Sequence, residues 1–186
     1  MQFSVEHQIP APLSQIEAAF FQREYYAHLL AESGLLLDVK VKACEDLGDR
    51  VIRQVHYCPK PAFDSIGPKK IPASWFEFIE ESVYDKATRT LRFENVPVTD
   101  KVRRHFRNSG EIQLESLSAG LTVRRAKADL ELHTLKLYLR PLRGLAESMI
   151  AREARKLLDA EAKLLDGWLR GRDEEPLTGP FVPIAG

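Results

Sequence analysis

The sequence lacks most features that mark specialised classes of protein. Its 186 residues include only two cysteines, and no apolar run is long enough for a membrane span or a secretory signal. Cys44 and Cys58 show neither CxxC nor metal-ligand spacing, so we expect no disulfide framework. These features predict a cytoplasmic protein.

An excess of one charge is also absent. The chain carries 27 basic and 27 acidic side chains, a formal net charge of zero. Domains that bind nucleic acid usually have a basic excess, so nucleic acid is not expected as a partner. The length, with 44% apolar and 29% charged residues, predicts one globular domain with a hydrophobic core.

Motifs for common chemistry are missing too. There is no GxSxG elbow for a nucleophile, and the ten glycines are scattered instead of forming a phosphate-binding loop. The five histidines show no HxH or HxxxH spacing. We therefore expect no metal and no cofactor.

What is present is periodicity. Alternation over residues 2–9 predicts a strand, and Ser14 with Glu17 forms a capping box that predicts a short helix. A second short helix is predicted over 24–32. Six strands in consecutive hairpins are then predicted at 35–43, 51–58, 75–84, 88–96, 102–115 and 121–135. A stripe of period 3.6 from Leu142 to Arg170 predicts a long C-terminal helix.

This order of elements predicts an α+β fold, in which the long helix covers one face of a curved antiparallel sheet of about seven strands. We expect the domain to span residues 1–170. The tail, 171–186, contains three prolines and is expected to be flexible.

The segment 59–74 is predicted to be an unusually long loop, because it contains four prolines. It is a candidate gate to a binding site. Its lysines (Lys60, Lys69 and Lys70) alternate with apolar residues (Phe63, Ile66 and Ile71). This mixture suits either transient contact with a membrane surface or an ordinary solvated loop.

The longest predicted hairpin has one charged face. If Glu111 is opposite Arg125, then Arg107 faces Asp129 and His105 faces Glu131 on that face. The other face has small residues in its middle: Gly110, Ala126 and Ala128. Such residues either let the helix pack closely or leave an apolar cavity beneath it.

Two residues are candidates for acid or base catalysis. Glu81 points inward if Ile79 and Phe93 are opposed inside the sheet, and burial would then raise its pKa. A twist or a neighbouring cation would instead leave Glu81 solvated. Among the strand histidines only His7 is predicted to point inward, either as a core histidine or as a base.

Arginines are predicted at the ends of the inner face. Arg104 and Arg124 in those positions would hold a ligand carboxylate or phosphate. Alternatively, their side chains extend to water past the edge of the sheet.

The order of elements resembles the helix-grip fold of the START-like superfamily, which includes birch-pollen allergen relatives, polyketide cyclases and lipid-transfer domains. The resemblance spans about residues 2–170. The segments FSVEHQIPAP, WFEFIEESVYDKATRTLRF, SGEIQLE and LRPLRGLAE resemble an uncharacterised bacterial family of that superfamily. EESVYDKATRTLRFENV is also similar to PRELI-like phospholipid-transfer proteins.

The resemblance implies a cavity between the sheet and the C-terminal helix that binds a hydrophobic or amphipathic, lipid-like molecule. A carrier or lipid-transfer protein is the first hypothesis. The second is an aromatase/cyclase-type enzyme acting on a polyketide-like substrate, with Glu81 or His7 in the mechanism, and the third is an interaction module with a filled interior. The expected ligand-binding residues are Val39, Val41, Val55, Tyr57, Ile79, Phe93, Arg104, Phe106, Asn108, Gly110, Ile112, Arg124, Ala126, Ala128, Leu130, Met149, Ile150 and Leu157.

Overall fold

One antiparallel sheet and one long helix account for most of the residues described by the computed structural model, which are 1–61, 65–66, 69–132 and 140–171. The elements are β1 (Gln2–Ile9), α1 (Leu13–Ala19), α2 (Arg23–Ser33), β2 (Leu36–Asp46), β3 (Arg50–Pro59), β4 (Ser65–Ile66), β5 (Lys69–Lys70), β6 (Phe78–Asp85), β7 (Thr90–Pro97), α3 (Asp100–Arg103), β8 (Phe106–Ser118), β9 (Leu121–Leu132) and α4 (Arg140–Arg170). Seven strands form the main sheet in the order β1-β9-β8-β7-β6-β3-β2. The predicted α+β helix-grip fold is confirmed.

Helix α4 covers one side of this sheet, which we call the inner face. The helix packs against β1, β9 and α2. Its buried residues include Ala151, Ala162 and Leu165, and Arg155 lies over the ring of Phe3 at 5.0 Å. None of the described helices has a stretch apolar and long enough to cross a bilayer.

The two short helices are confirmed, but the capping box is not. Helix α1 begins after Pro12, and no side chain caps its N-terminus. Glu17 instead accepts a hydrogen bond from the hydroxyl of Tyr84. Helix α2 ends at Gly34, whose φ of 61° is the left-handed conformation that glycine adopts without strain.

The hairpin of β8 and β9 keeps its predicted faces although its register differs. Arg107 is opposite Glu131, and Glu111 is opposite Lys127, so each pair is displaced by two residues from the prediction. Side chains alternate with a period of two, so an even displacement leaves every residue on the same face. His105 precedes the strand and is exposed.

In the hairpin of β6 and β7, the two faces of β6 are exchanged relative to the prediction. Ile79 is opposite Val96, and Phe93 is opposite Ser82, a displacement of three residues. Because three is odd, the predicted faces of β6 exchange. Glu80 therefore lies on the inner face and Glu81 on the outer face.

Strand β2 contains two register shifts, between Leu36 and Asp38 and between Val41 and Ala43. Each bulge changes which residues point inward. Leu36 is buried as a result, whereas Leu37 is 52% exposed.

The segment 59–74 is described only in part. Residues 65–66 and 69–70 form a separate two-stranded sheet, and a short 3-10 turn follows at Ala73–Trp75. Phe63 lies outside the described residues, as do the side chains of Ile66 and Lys69 and the predicted flexible tail from residue 172 onward.

Candidate functional site

Arg53 is the centre of a buried polar group on the inner face. This β3 residue is 3% exposed. Its guanidinium pairs with Glu80 and donates to the Tyr26 hydroxyl, to the Phe20 carbonyl oxygen at 2.7 Å and to Ser82 Oγ at 3.1 Å. The hydrogen bonds of Arg53 therefore join α2 and the end of α1 to two strands of the sheet.

Arg124 is a second buried cation, on β9, and is 1% exposed. Its Nη2 donates to Glu161 Oε2 of α4 at 2.9 Å, and its Nη1 donates to the Leu158 carbonyl oxygen at 3.3 Å. Tyr57 lines the same buried space as Glu161. We call Tyr26, Arg53, Tyr57, Glu80, Arg124 and Glu161 the inner polar cluster.

Burial controls the protonation of this cluster. Desolvation raises the pKa of Glu161, an effect that the neighbouring Arg124 opposes. Desolvation likewise raises the pKa of Tyr26 and Tyr57. Both phenols are therefore neutral hydrogen-bond donors at physiological pH.

The space enclosed by the inner polar cluster is small. Its volume is about 20 Å³, and its lining residues also include Phe20, Tyr25, Leu91, Ile112 and Leu165. A void of this size with polar walls holds about one water molecule. The small residues of the sheet, Gly110, Ala126 and Ala128, are not among the residues that line this void.

Beyond the inner polar cluster, the inner face carries a polar row of three residues. Glu80 is opposite Asn95 on β7, and Asn95 is opposite Asn108 on β8. Asn95 is 9% exposed. The Oδ1 atoms of Asn95 and Asn108 are buried and have no hydrogen-bond partner within residues 1–61, 65–66, 69–132 and 140–171. We call these two residues the asparagine pair.

The adjacent row is apolar. Phe93 on β7 is opposite Gly110 on β8. Ala128 on β9 lies between Gly110 and Phe3 of β1 and is opposite both. A Cβ added to Gly110 would overlap the Lys127 carbonyl oxygen and lie 2.8 Å from Phe93 Cζ. Glycine at this position therefore lets the Phe93 ring lie directly against the strand.

An open depression of about 800 Å³ crosses the strands from β1 to β6. Most of its lining residues point to the outer face, and they carry both charges: Gln2, Ser4, Glu81, Arg92, Glu94, Ser109, Glu111, Lys127 and Asp129. Phe3, Phe93, Gly110 and Ala128 complete the lining. Its width and mixed charge distinguish it from an enclosed site between sheet and helix.

The two residues predicted for acid or base chemistry lie on opposite faces of the sheet. Glu81 is exposed on the outer face, opposite Glu94, so the prediction that it points inward is wrong. His7 does face α4: its Nε2 lies 2.8 Å from Asp159 Oδ1, and its Nδ1 lies 3.5 Å from Arg124 Nη1. These contacts suit a histidine that joins β1 to the helix.

Two predicted ligand-binding residues are also misplaced. Arg104 follows α3 and is exposed, because β8 begins only at Phe106. Ile79 lies on the outer face with Glu81, because the faces of β6 are exchanged relative to the prediction. Neither side chain contributes to the inner face.

The other predicted ligand-binding residues of the sheet lie on the inner face. Those that are buried are Val39, Val55, Tyr57, Ile112, Arg124, Ala126, Ala128 and Leu130. Those that are half-buried are Val41, Phe93, Phe106, Asn108 and Gly110. On α4, Leu157 packs against the core, and Met149 and Ile150 are half-buried nearer the start of the helix.

Several central residues were missed from the sequence: Tyr26, Arg53, Glu80, Asn95 and Glu161. Arg53 had a readable signal, since it alternates with Val51, Val55 and Tyr57 on one side of β3. Glu80 depended on the register of β6 and β7, whereas Asn95 lies on the same side of β7 as Phe93, which was predicted to point inward. No three His, Cys, Asp or Glu side chains among the described residues are grouped as a metal ion would require.

Comparison with known proteins identifies the fold. No family model matches the chain, and no curated protein matches its sequence. A START superfamily protein from Mycobacterium smegmatis is 16% identical with a TM-score of 0.53, over 91% of this chain and 97% of that one. The Zhui aromatase/cyclase from a Streptomyces species is 15% identical with a TM-score of 0.55, over 93% and 98%.

Norcoclaurine synthase from Thalictrum flavum, solved in complex with dopamine and hydroxybenzaldehyde, is 11% identical with a TM-score of 0.59, over 94% of this chain and 89% of that one. Identities this low establish the architecture alone. The chain therefore has the START-like helix-grip fold.

Proposed function

We propose that this protein binds one small amphipathic molecule between the inner face and α4, and acts as its carrier. The observation that supports this proposal is the amphipathic character of the inner face. A polar row (Glu80, Asn95 and Asn108), in which the two asparagine oxygens have no hydrogen-bond partner among the described residues, lies beside an apolar row (Phe3, Phe93, Gly110 and Ala128). Small-molecule sites combine apolar walls with a few polar groups in this way.

The fold supports the same proposal. Proteins with this architecture include one solved with small molecules bound. The water-sized void in the inner polar cluster does not accommodate such a molecule. We therefore place the ligand at the other end of the inner face, near Phe106, Met149 and Ile150, where apolar contact contributes about 25 cal/mol per Å² of buried surface.

Binding can be tested with diphenylhexatriene, an apolar dye that fluoresces when it leaves water. We expect saturable binding of one dye per chain, and native mass spectrometry of the purified protein should show a retained small molecule. Ala128→Phe, which fills the apolar row, should abolish dye binding. Ala87→Phe, the same change at an exposed turn residue, is the matched control. Absence of both saturable binding and a retained mass would refute the carrier proposal.

An enzyme of the aromatase/cyclase type is the second candidate. Glu161 favours it, because this carboxyl lines the void and burial raises its pKa, which suits a general acid. Glu161→Gln should then abolish cyclisation of a polyketide-like substrate while binding is retained. Glu81→Gln, on the outer face, is the matched control and should have no effect. Turnover that survives Glu161→Gln would remove this residue from the mechanism.

The proposal also covers the domain bounds, the location of the protein and its contact with membranes. We propose residues 1–170 as the domain, and a cytoplasmic location suits the two unpaired cysteines. Contact of the 59–74 segment with membranes remains a prediction. Lys60 and Lys70 are exposed, as such contact would require. Co-sedimentation with anionic vesicles tests it: Lys60→Gln/Lys70→Gln should reduce the bound fraction.

A further inference from the structure

The two polar groups of the inner face offer different chemistry to a ligand. The cations of the inner polar cluster are already neutralised, Arg53 by Glu80 and Arg124 by Glu161. Arg104, the third arginine expected there, is exposed. Among the described residues, the inner face therefore has no unpaired cation to hold a carboxylate or phosphate.

The asparagine pair presents the opposite case. The Oδ1 atoms of Asn95 and Asn108 lie on neighbouring strands, both are buried, and neither accepts a hydrogen bond from the other or from any other group among the residues that the structure describes. Buried acceptors that remain unpaired are rare in folded proteins, because each loses its hydrogen bonds to water without replacement. Two such atoms side by side require a donor that the described part of the chain does not supply.

We propose that the ligand is a neutral molecule with a hydroxyl or N–H group, which donates a hydrogen bond to the asparagine pair. This inference rests on the proposed carrier function and adds the chemical class of the ligand. An anionic head group is disfavoured, because a carboxylate has no proton to donate and would also lie near Glu80, which is opposite Asn95. The apolar part of the ligand would lie against the half-buried rings of Phe93 and Phe106, each two residues from the asparagine pair on β7 and β8.

Three probes of the same shape test this proposal: 2-naphthol, which donates a hydrogen bond; 2-methoxynaphthalene, which only accepts; and 2-naphthoate, which is anionic. We expect 2-naphthol to bind about tenfold or more tightly than 2-methoxynaphthalene, as one buried donor–acceptor pair would give. Binding of 2-naphthoate should be the weakest of the three.

The double variant Asn95→Leu/Asn108→Leu should bind 2-naphthol and 2-methoxynaphthalene equally, with the affinity for 2-methoxynaphthalene at least retained. Thr122→Val is the control, since it removes a buried hydroxyl whose acceptor is within the chain. In the wild-type protein, NMR signals of the Asn95 and Asn108 side-chain amides should shift with 2-naphthol and much less with 2-methoxynaphthalene. That measurement needs no variant to fold.

The outcomes separate the two proposals. Equal binding of all three probes, or tightest binding of 2-naphthoate, overturns the donor inference and leaves the carrier function in place. A preference for 2-naphthol that survives in the double variant also overturns it. Failure of every probe and of diphenylhexatriene to bind would remove the carrier function itself.

Discussion

Glu80 and Asn95 are opposite each other on β6 and β7, yet their surroundings differ. Glu80 belongs to a cluster in which both arginines are paired and the carboxylates are hydrogen-bonded. Asn95 belongs to a pair of amides whose oxygens have no hydrogen-bond partner in the described part of the chain. A polar group that is fully paired within the chain holds the fold together, whereas an unpaired one costs stability and is available to a ligand. The two regions should therefore respond to substitution in opposite directions.

The largest expected effect is that of Arg53→Met. This change leaves Glu80 buried without its counter-ion, so we expect the free energy of unfolding to fall by about 3–5 kcal/mol, measured by urea denaturation. Arg92→Met on the exposed side of β7 is the control, with a change below about 0.5 kcal/mol.

The double variant Arg53→Met/Glu80→Met sharpens this test. It removes both charges, and we expect it to recover at least half of the stability lost in the single variant. A double variant as unstable as Arg53→Met alone would show that Arg53 acts through its other hydrogen bonds and not through the ion pair.

Gly110→Ala should have the next largest effect. The new Cβ would overlap a backbone oxygen, which cannot move as freely as a side chain, so we expect a loss near 3 kcal/mol, at the upper end of the range for overpacking, about 1–3 kcal/mol. Gly167→Ala is the control, because nothing lies within 4 Å of its Cβ position in α4. Thermal unfolding should show stabilisation there, by up to about 1 kcal/mol. Equal stability of the two variants would contradict the close approach at Gly110.

Substitution in the asparagine pair should increase the stability of the protein. Asn95→Leu removes an unpaired buried acceptor, so the ligand-free protein should become more stable by about 1–3 kcal/mol in urea denaturation. Thr122→Val should do the reverse, since the Thr122 hydroxyl is fully buried and donates to the Ala11 carbonyl oxygen at 2.9 Å. A loss of stability in Asn95→Leu would mean that Asn95 serves the fold, and the contrast between the two regions would disappear.

The sequence predicted the architecture well because long periodic segments determine it. The stripe of α4 and the alternation of β8 and β9 were strong enough to survive a wrong register, since that error was even and left Gly110 on its predicted face. The fold class needed only the order of such segments.

The candidate site was predicted less well because it depends on single-residue register. An odd displacement in one hairpin exchanged Glu80 with Glu81. Arg124 of β9 pairs with Glu161 of α4. Because tertiary packing brings these two residues together, no local sequence pattern predicts the contact. Arg53 was readable from alternation, but a buried arginine is rare enough that alternation alone did not suggest it.

The last prediction for the inner polar cluster is the pH dependence of stability contributed by Glu161. Because burial raises the pKa of Glu161 in the folded state, the folded protein holds this proton more tightly than the unfolded chain does. The stability that this proton contributes is complete below the ordinary pKa of a glutamate, near 4.5, and is lost as the pH rises through the raised value. Glu161→Gln cannot lose this proton. The difference in unfolding free energy, wild type minus Glu161→Gln, should therefore decrease from pH 4 towards pH 7, by at most about 1.4 kcal/mol per pH unit. Urea denaturation of both proteins across this range measures it, and a difference that grows with pH would show that the ion pair with Arg124 outweighs burial.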